Sequence, residues 1–225
     1  LLADRAAGAT VVGGMLGAEG GHAFAGRIEN YERMRDAGFR LIGLTHFFDN
    51  ELGGSLHGEA GTDGTGLSDF GREVVARMIA DRMVIDLAHA SPAMAREVLA
   101  MADARPIVSH TGVHGHCRTQ RNFTDDILQG VAAKGGIIGI GFWDEVNCAN
   151  TVAAIADSVV AAVALVGEDH VSLGSDFDGA VTTPLDASQL ASLTQALMDK
   201  GLGEATIAKV MGGNMMRYLA EVLPE

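Results

Sequence analysis

Two observations predict an α/β architecture. Six short apolar runs recur along the chain, each followed by a loop and then by a helical pattern. The runs are rich in Val, Ile, Leu and Gly and lack in–out alternation, as expected of parallel strands covered on both faces.

The predicted strands are residues 10–16, 41–45, 84–88, 106–109, 137–142 and 171–174. Between them the helix signals are clear. Ser68 opens a helix over 70–82 that gathers Val74, Val75, Met78 and Ile79 on one face. Ser91-Pro92 supplies an N-cap and a first-turn proline ahead of Met94, Val98 and Leu99. Thr124 with Asp125 and Asp126 starts a further helix, and Gly135-Gly136 ends it. Residues 153–166 and 205–222 complete the set. No repeat, charge block or proline-rich linker divides the chain, so residues 1–225 are read as one domain.

Composition narrows the function classes. The chain is 48 % hydrophobic and 20 % charged, the mix of a folded protein. With 16 Lys and Arg against 29 Asp and Glu, its net charge is −13. Such a surface repels nucleic-acid phosphates and anionic membranes, so neither is expected as a partner. The longest apolar stretch, 152–167, is interrupted by Asp157 and Ser158, and no membrane span is predicted. Cys117 and Cys148 permit one bridge at most, and a count this low favours a reducing, cytoplasmic compartment.

The strand count poses a choice. A closed parallel barrel has eight strands in typically about 250 residues. Six runs in 225 residues fit either an open doubly wound sheet or a barrel without its first two strands. The placement of chemistry bears on that choice. Three runs end in histidine (His46, His89 and His110), a fourth leads to Asp176, and the first leads to Glu19. In a parallel barrel these C-terminal strand ends share one mouth, where imidazole nitrogens and a carboxylate suit zinc or a similar divalent ion. Singly, each has a plainer role: a strand-end histidine is usually a hydrogen-bonded structural residue, and Asp176-Phe177-Asp178-Gly179 is turn chemistry. Five at one topological level favour a shared metal mouth. Arg121, in a polar loop after the His110 strand, suits bidentate capture of a carboxylate, although a solvated surface role is the ordinary expectation for such an arginine. His22, His57, His114, His116 and His170 are assigned to solvent or structural roles.

Taken in order, several stretches resemble the membrane dipeptidase family of binuclear zinc peptidases. They are Glu19-Gly20-Gly21-His22, Leu44-Thr45-His46, Gly66-Leu67-Ser68-Asp69-Phe70-Gly71, Asp86-Leu87-Ala88-His89, Ser109-His110, Arg121-Asn122, the run from Gly174 through Ser175, Asp176, Phe177 and Asp178 to Gly179, and the closing Gly212-Gly213-Asn214.

The resemblance implies a TIM-like (β/α)8 barrel of the metal-dependent hydrolase type, with two zinc ions at its C-terminal mouth and dipeptides as substrates. By the same resemblance Glu19 bridges both metals, and His89 and His110 complete the second site. Asp176 is then the acid/base residue beside a metal-bridging hydroxide. His46 contacts the substrate carbonyl and its oxyanion, and Arg121 grips the substrate's C-terminal carboxylate. The family's His-x-Asp motif on a first strand has no match here. The chain opens at Leu1 rather than Met, and we read it as the last six of eight strand–helix units. An inactive or partner-dependent metal-binding fragment, or an amidohydrolase of another small amide, stands as the alternative, and the family's habit implies a homodimer.

Overall fold

The computed structural model describes residues 2–60 and 63–224. Among these, six strands form two three-stranded sheets. One holds β1 (Leu16–Ala18), β2 (Phe39–Gly43) and β3 (Val84–Asp86). The other holds β4 (Val108–Thr111), β5 (Ile138–Ile140) and β6 (Val171–Leu173). Every neighbouring pair is parallel and follows chain order. A parallel bridge between Asp86 and Ile107 links the sheets, with the Ile107 amide donating to the Ile85 carbonyl at 2.8 Å and the Leu87 amide to the Ile107 carbonyl at 2.9 Å. A doubly wound sheet reverses its strand order at a switch point; no reversal occurs along these six strands.

The helices are α1 (Leu2–Ala6), α2 (Ile28–Asp36), α3 (Asp69–Ala80), α4 (Pro92–Ala100), α5 (Asp125–Ala133), α6 (Asp144–Asn147), α7 (Val152–Val166), α8 (Leu190–Asp199), α9 (Glu204–Ala208) and α10 (Asn214–Val222). The expected caps form: Ser68 Oγ accepts from the Gly71 amide at 2.9 Å and Ser91 Oγ from the Met94 amide at 3.0 Å. Helix α3 buries Val74, Val75 and Met78 against strand residues Ile42 and Ile85, each buried side chain adding about 1.5–3 kcal/mol of hydrophobic stabilisation. The same core continues through Val108, Ile138, Ile140 and Val171 to Ile155, Val159 and Leu193.

The structure corrects several expectations. The first strand lies at 16–18 rather than 10–16. Residues 10–15 contain the Gly13-Gly14 pair and have no strand alongside, and Val12 is 93 % exposed. The single helix expected over 205–222 is broken into α9, a π-turn over Lys209–Gly213 and α10, because Gly212 takes φ 143°, outside any helix. Helices α2 and α8 were not anticipated. Cys117 and Cys148 form the one bridge that their number permits.

Candidate metal centre

The parallel strands bring their C-terminal ends to one mouth, and most of the predicted residues meet there. Glu19 follows β1, His46 lies three residues beyond β2, His89 three beyond β3, His110 is within β4, and Asp176 lies three beyond β6. Glu19 Oε1 sits 2.9 Å from His89 Nε2 and 3.3 Å from His110 Nε2, and the two Nε2 atoms are 3.1 Å apart. Two donors on a tetrahedral zinc at about 2.0–2.1 Å lie roughly 3.3 Å from each other. The three separations match that spacing, so two imidazoles and a carboxylate fit one ion. This is the one such group of three among the described residues. Glu19 Oε2 turns the other way, 3.6 Å from His46 Nε2.

Local packing explains the convergence. Thr45 Oγ1 donates to the His89 carbonyl at 2.9 Å, tying the His46 segment to the His89 segment. The His46 carbonyl accepts from Ser55 Oγ, whose oxygen also accepts from the His57 amide at 3.0 Å. The His46 and His89 rings meet edge to face at 4.5 Å. Gly139 of β5 and Gly174 after β6 approach the Ser109 carbonyl so closely that a Cβ on either would fall 2.0 Å from it. That tight layer fixes the backbone that carries His110.

The electrostatics favour metal ligation. The His110 and His89 rings beside it hold the Glu19 carboxyl well below the usual carboxylate range, against the opposing effect of burial. His89, 5 % exposed, is pushed down to about 4, chiefly by burial, with the Arg121 and His110 charges adding to it against Glu19. Its imidazole is therefore neutral at pH 7, as a ligand must be. Glu19, Ser109, His110 and Asp176 line one cleft of about 440 Å³. Burial, with the Glu19 and Asp178 charges, raises the Asp176 carboxyl against the pull of His110 and Arg121. Asp176 also takes φ 58°, a left-handed conformation that Asp tolerates better than most residues at a turn.

Arg121 departs from the solvated role that is ordinary for such an arginine. It is 3 % exposed, donates from Nη1 to the Ala88 carbonyl at 2.8 Å, and stacks over the Trp143 ring at 5.4 Å. Its Nη2 is buried without a hydrogen-bond partner among the described residues. Its neighbour Asn122 pins the loop, donating to the Cys117 and Val146 carbonyls and accepting from the Gly112 amide. His57, expected to be structural or solvated, has its ring 5.6 Å from His89 and 5.0 Å from Phe47. Sequence reasoning gave Asp86 and Ser109 no role beyond their place in the stretches that end in His89 and His110, and it passed over Trp143, which follows β5.

A family model described as membrane dipeptidase (peptidase family M19) matches residues 3–223. Dipeptidase aclJ of Aspergillus oryzae (strain ATCC 42149 / RIB 40) is 35 % identical over 219 residues, covering 94 % of this chain and 52 % of that protein. The chain thus spans about half the length of that curated relative. Among solved structures, an amidohydrolase from Pseudomonas aeruginosa superposes with TM-score 0.83 at 26 % identity, over 93 % of this chain and 72 % of that one. A metallopeptidase from Rhodobacter sphaeroides, liganded with a phosphinate mimic of L-Ala-D-Ala, superposes with TM-score 0.82 at 24 % identity, over 93 % and 63 %. With a family match that runs nearly end to end, this chain belongs to the membrane dipeptidase family.

Proposed function

We propose that this chain carries the working face of a zinc-dependent dipeptidase, with its six strands as consecutive staves of a (β/α)8 barrel. The observation that carries the reading is the triangle of Glu19 Oε1, His89 Nε2 and His110 Nε2, with sides of 2.9, 3.1 and 3.3 Å.

Glu19, His89 and His110 would hold zinc, while Glu19 Oε2 faces His46 Nε2 at 3.6 Å. Zinc so held supplies Lewis-acid polarisation of the scissile carbonyl and brings a water's pKa toward neutrality. Asp176, whose carboxyl is raised by burial, takes the proton from the attacking water and delivers it to the leaving amine. His46, half-buried and 3.6 Å from Glu19 Oε2, hydrogen-bonds the developing oxyanion. Arg121 binds the C-terminal carboxylate through the buried Nη2 that none of the described residues satisfies. A free carboxylate at that position limits the substrate to a short peptide.

The test compares a dipeptide with its C-terminal amide, using the zinc-loaded protein and the Arg121→Ala variant. The reading expects hydrolysis of the dipeptide, KM for the amide raised at least about tenfold, and KM for the dipeptide raised equally by the variant. Amide and dipeptide cleaved with equal KM by both proteins would remove Arg121 from substrate binding. No turnover of any dipeptide by zinc-loaded protein would leave the fragment reading.

A further inference from the structure

We propose that Asp86 and Ser109 are positioning residues that lock His110 in the tautomer with hydrogen on Nδ1, so that Nε2 presents its lone pair to Glu19 and His89. The inference rests on the metal-site reading above and concerns how this chain prepares one of its ligands.

The donor–acceptor accounting is closed. The Asp86 side chain is nearly fully buried and lies at the seam between the two sheets. Its Oδ1 accepts from the Ala88 amide at 3.1 Å and the Ser109 amide at 2.8 Å, and its Oδ2 accepts from Ser109 Oγ at 2.6 Å. A hydroxyl has one hydrogen, and this one is committed to Asp86. Ser109 Oγ, 2.8 Å from His110 Nδ1, therefore has only lone pairs to offer the ring. Nδ1 must carry the hydrogen, and in the neutral ring Nε2 must be bare. The polarity thus runs from ring to hydroxyl to carboxylate, a relay that orients and tunes a ligating imidazole as a directly bonded carboxylate does.

His89 lacks such support, since its Nδ1 is buried with no partner among the described residues. Of the two imidazoles, His110 is the one whose ligand atom is fixed before any ion arrives.

The relay makes an asymmetric prediction about two nearly isosteric changes. In Asp86→Asn the amide oxygen keeps the two backbone donors, and the amide nitrogen takes the place of Oδ2 and donates to Ser109 Oγ. The hydroxyl hydrogen is then released toward His110 Nδ1, which must become the acceptor, and the hydrogen moves to Nε2, the ligand atom. Ser109→Thr retains the hydroxyl and the wild-type polarity, whereas Ser109→Ala removes the constraint without reversing it.

The experiment is long-range 1H–15N correlation spectroscopy of the metal-free, 15N-labelled protein at about pH 8, with the His110 ring assigned by its disappearance in His110→Gln. Zinc affinity is read separately by competition with a chromophoric chelator. The expected result is the Nδ1–H pattern in wild type and Ser109→Thr, a mixture in Ser109→Ala and the Nε2–H pattern in Asp86→Asn, with zinc affinity lowered about 10–100-fold in Asp86→Asn. A wild-type His110 carrying hydrogen on Nε2 overturns the proposal, even if Asp86→Asn does not fold. So does an Asp86→Asn ring indistinguishable from wild type. Unchanged zinc affinity in His110→Gln would instead overturn the metal-site reading and leave the tautomer assignment standing.

Discussion

Glu19 and His110 belong to different three-stranded sheets, one beyond β1 and the other within β4, yet Glu19 Oε1 lies 3.3 Å from His110 Nε2. Among the described residues a single backbone bridge, Asp86 to Ile107, connects those sheets in the strand layer. An ion gripped by Glu19, His89 and His110 would therefore couple the two halves and add to their stability by mass action. Zinc at 100 times its Kd is expected to stabilise the protein by about 2.7 kcal/mol, read as a rise in Tm. In Glu19→Gln that rise should disappear, whereas a rise of the same size would show that zinc binds elsewhere.

The close packing behind His110 gives a second expectation. A Cβ at Gly174 would fall 2.0 Å from the Ser109 carbonyl, which is backbone and has nowhere to move. Gly174→Ala is expected to destabilise by about 1–3 kcal/mol, the range of core overpacking, and to weaken zinc binding by displacing His110. Chemical denaturation with a chelator assay decides it; a variant as stable as wild type would mean that this layer is loose.

These two relationships show how much of the site the sequence reveals. The strand-end residues are legible because successive parallel strands all point their C-termini the same way, so position along each run predicts the level in the fold. The Asp86–Ser109–His110 relay is not, because it depends on lateral register between β3 and β4. Read along the chain, Asp86 and Ser109 belong to the stretches that end in His89 and His110, and nothing there shows that they touch. The burial of Arg121 is hidden for a similar reason: it is created by the Ala88 carbonyl and the Trp143 ring, 33 and 22 positions away in sequence. Apolar composition also located a strand at 10–16 that lacks a neighbour, and helical periodicity carried a helix through Gly212, whose φ of 143° breaks it.

The bridge between Cys117 and Cys148 closes a loop across a sequence separation of 31 that includes both Arg121 and Trp143. Loop-closure entropy predicts that reduction costs about 3–4 kcal/mol of stability. A reduced protein should unfold at lower denaturant concentration and show a raised KM for dipeptides, since the Arg121 loop loses an anchor. Unchanged unfolding after reduction would show that the Asn122 hydrogen bonds alone hold the loop.

Away from the site, Asp81 is a stability sensor. It accepts from Tyr31 OH at 2.9 Å, Arg35 Nη1 at 2.8 Å and Arg77 Nε at 3.2 Å. Burial pushes its carboxyl up, but the Arg35 and Tyr31 hydrogen bonds and the two arginine charges outweigh that and hold it below its ordinary 3.8. A carboxyl depressed in the folded state stabilises above the unfolded pKa and loses that contribution as pH falls through the folded one. The stability difference between wild type and Asp81→Asn should therefore be constant near neutrality and shrink below about pH 4. A difference that persists unchanged at pH 2.5 would contradict this sign.

Zinc content tests the central claim most directly. Wild-type protein and the Glu19→Gln, His89→Ala and His110→Ala variants would be loaded with zinc, dialysed together and measured by elemental analysis, with circular dichroism confirming that each is folded. The three-residue centre predicts at least one zinc per wild-type chain and substoichiometric metal in every folded variant. Equal zinc in wild type and in all three variants would contradict it.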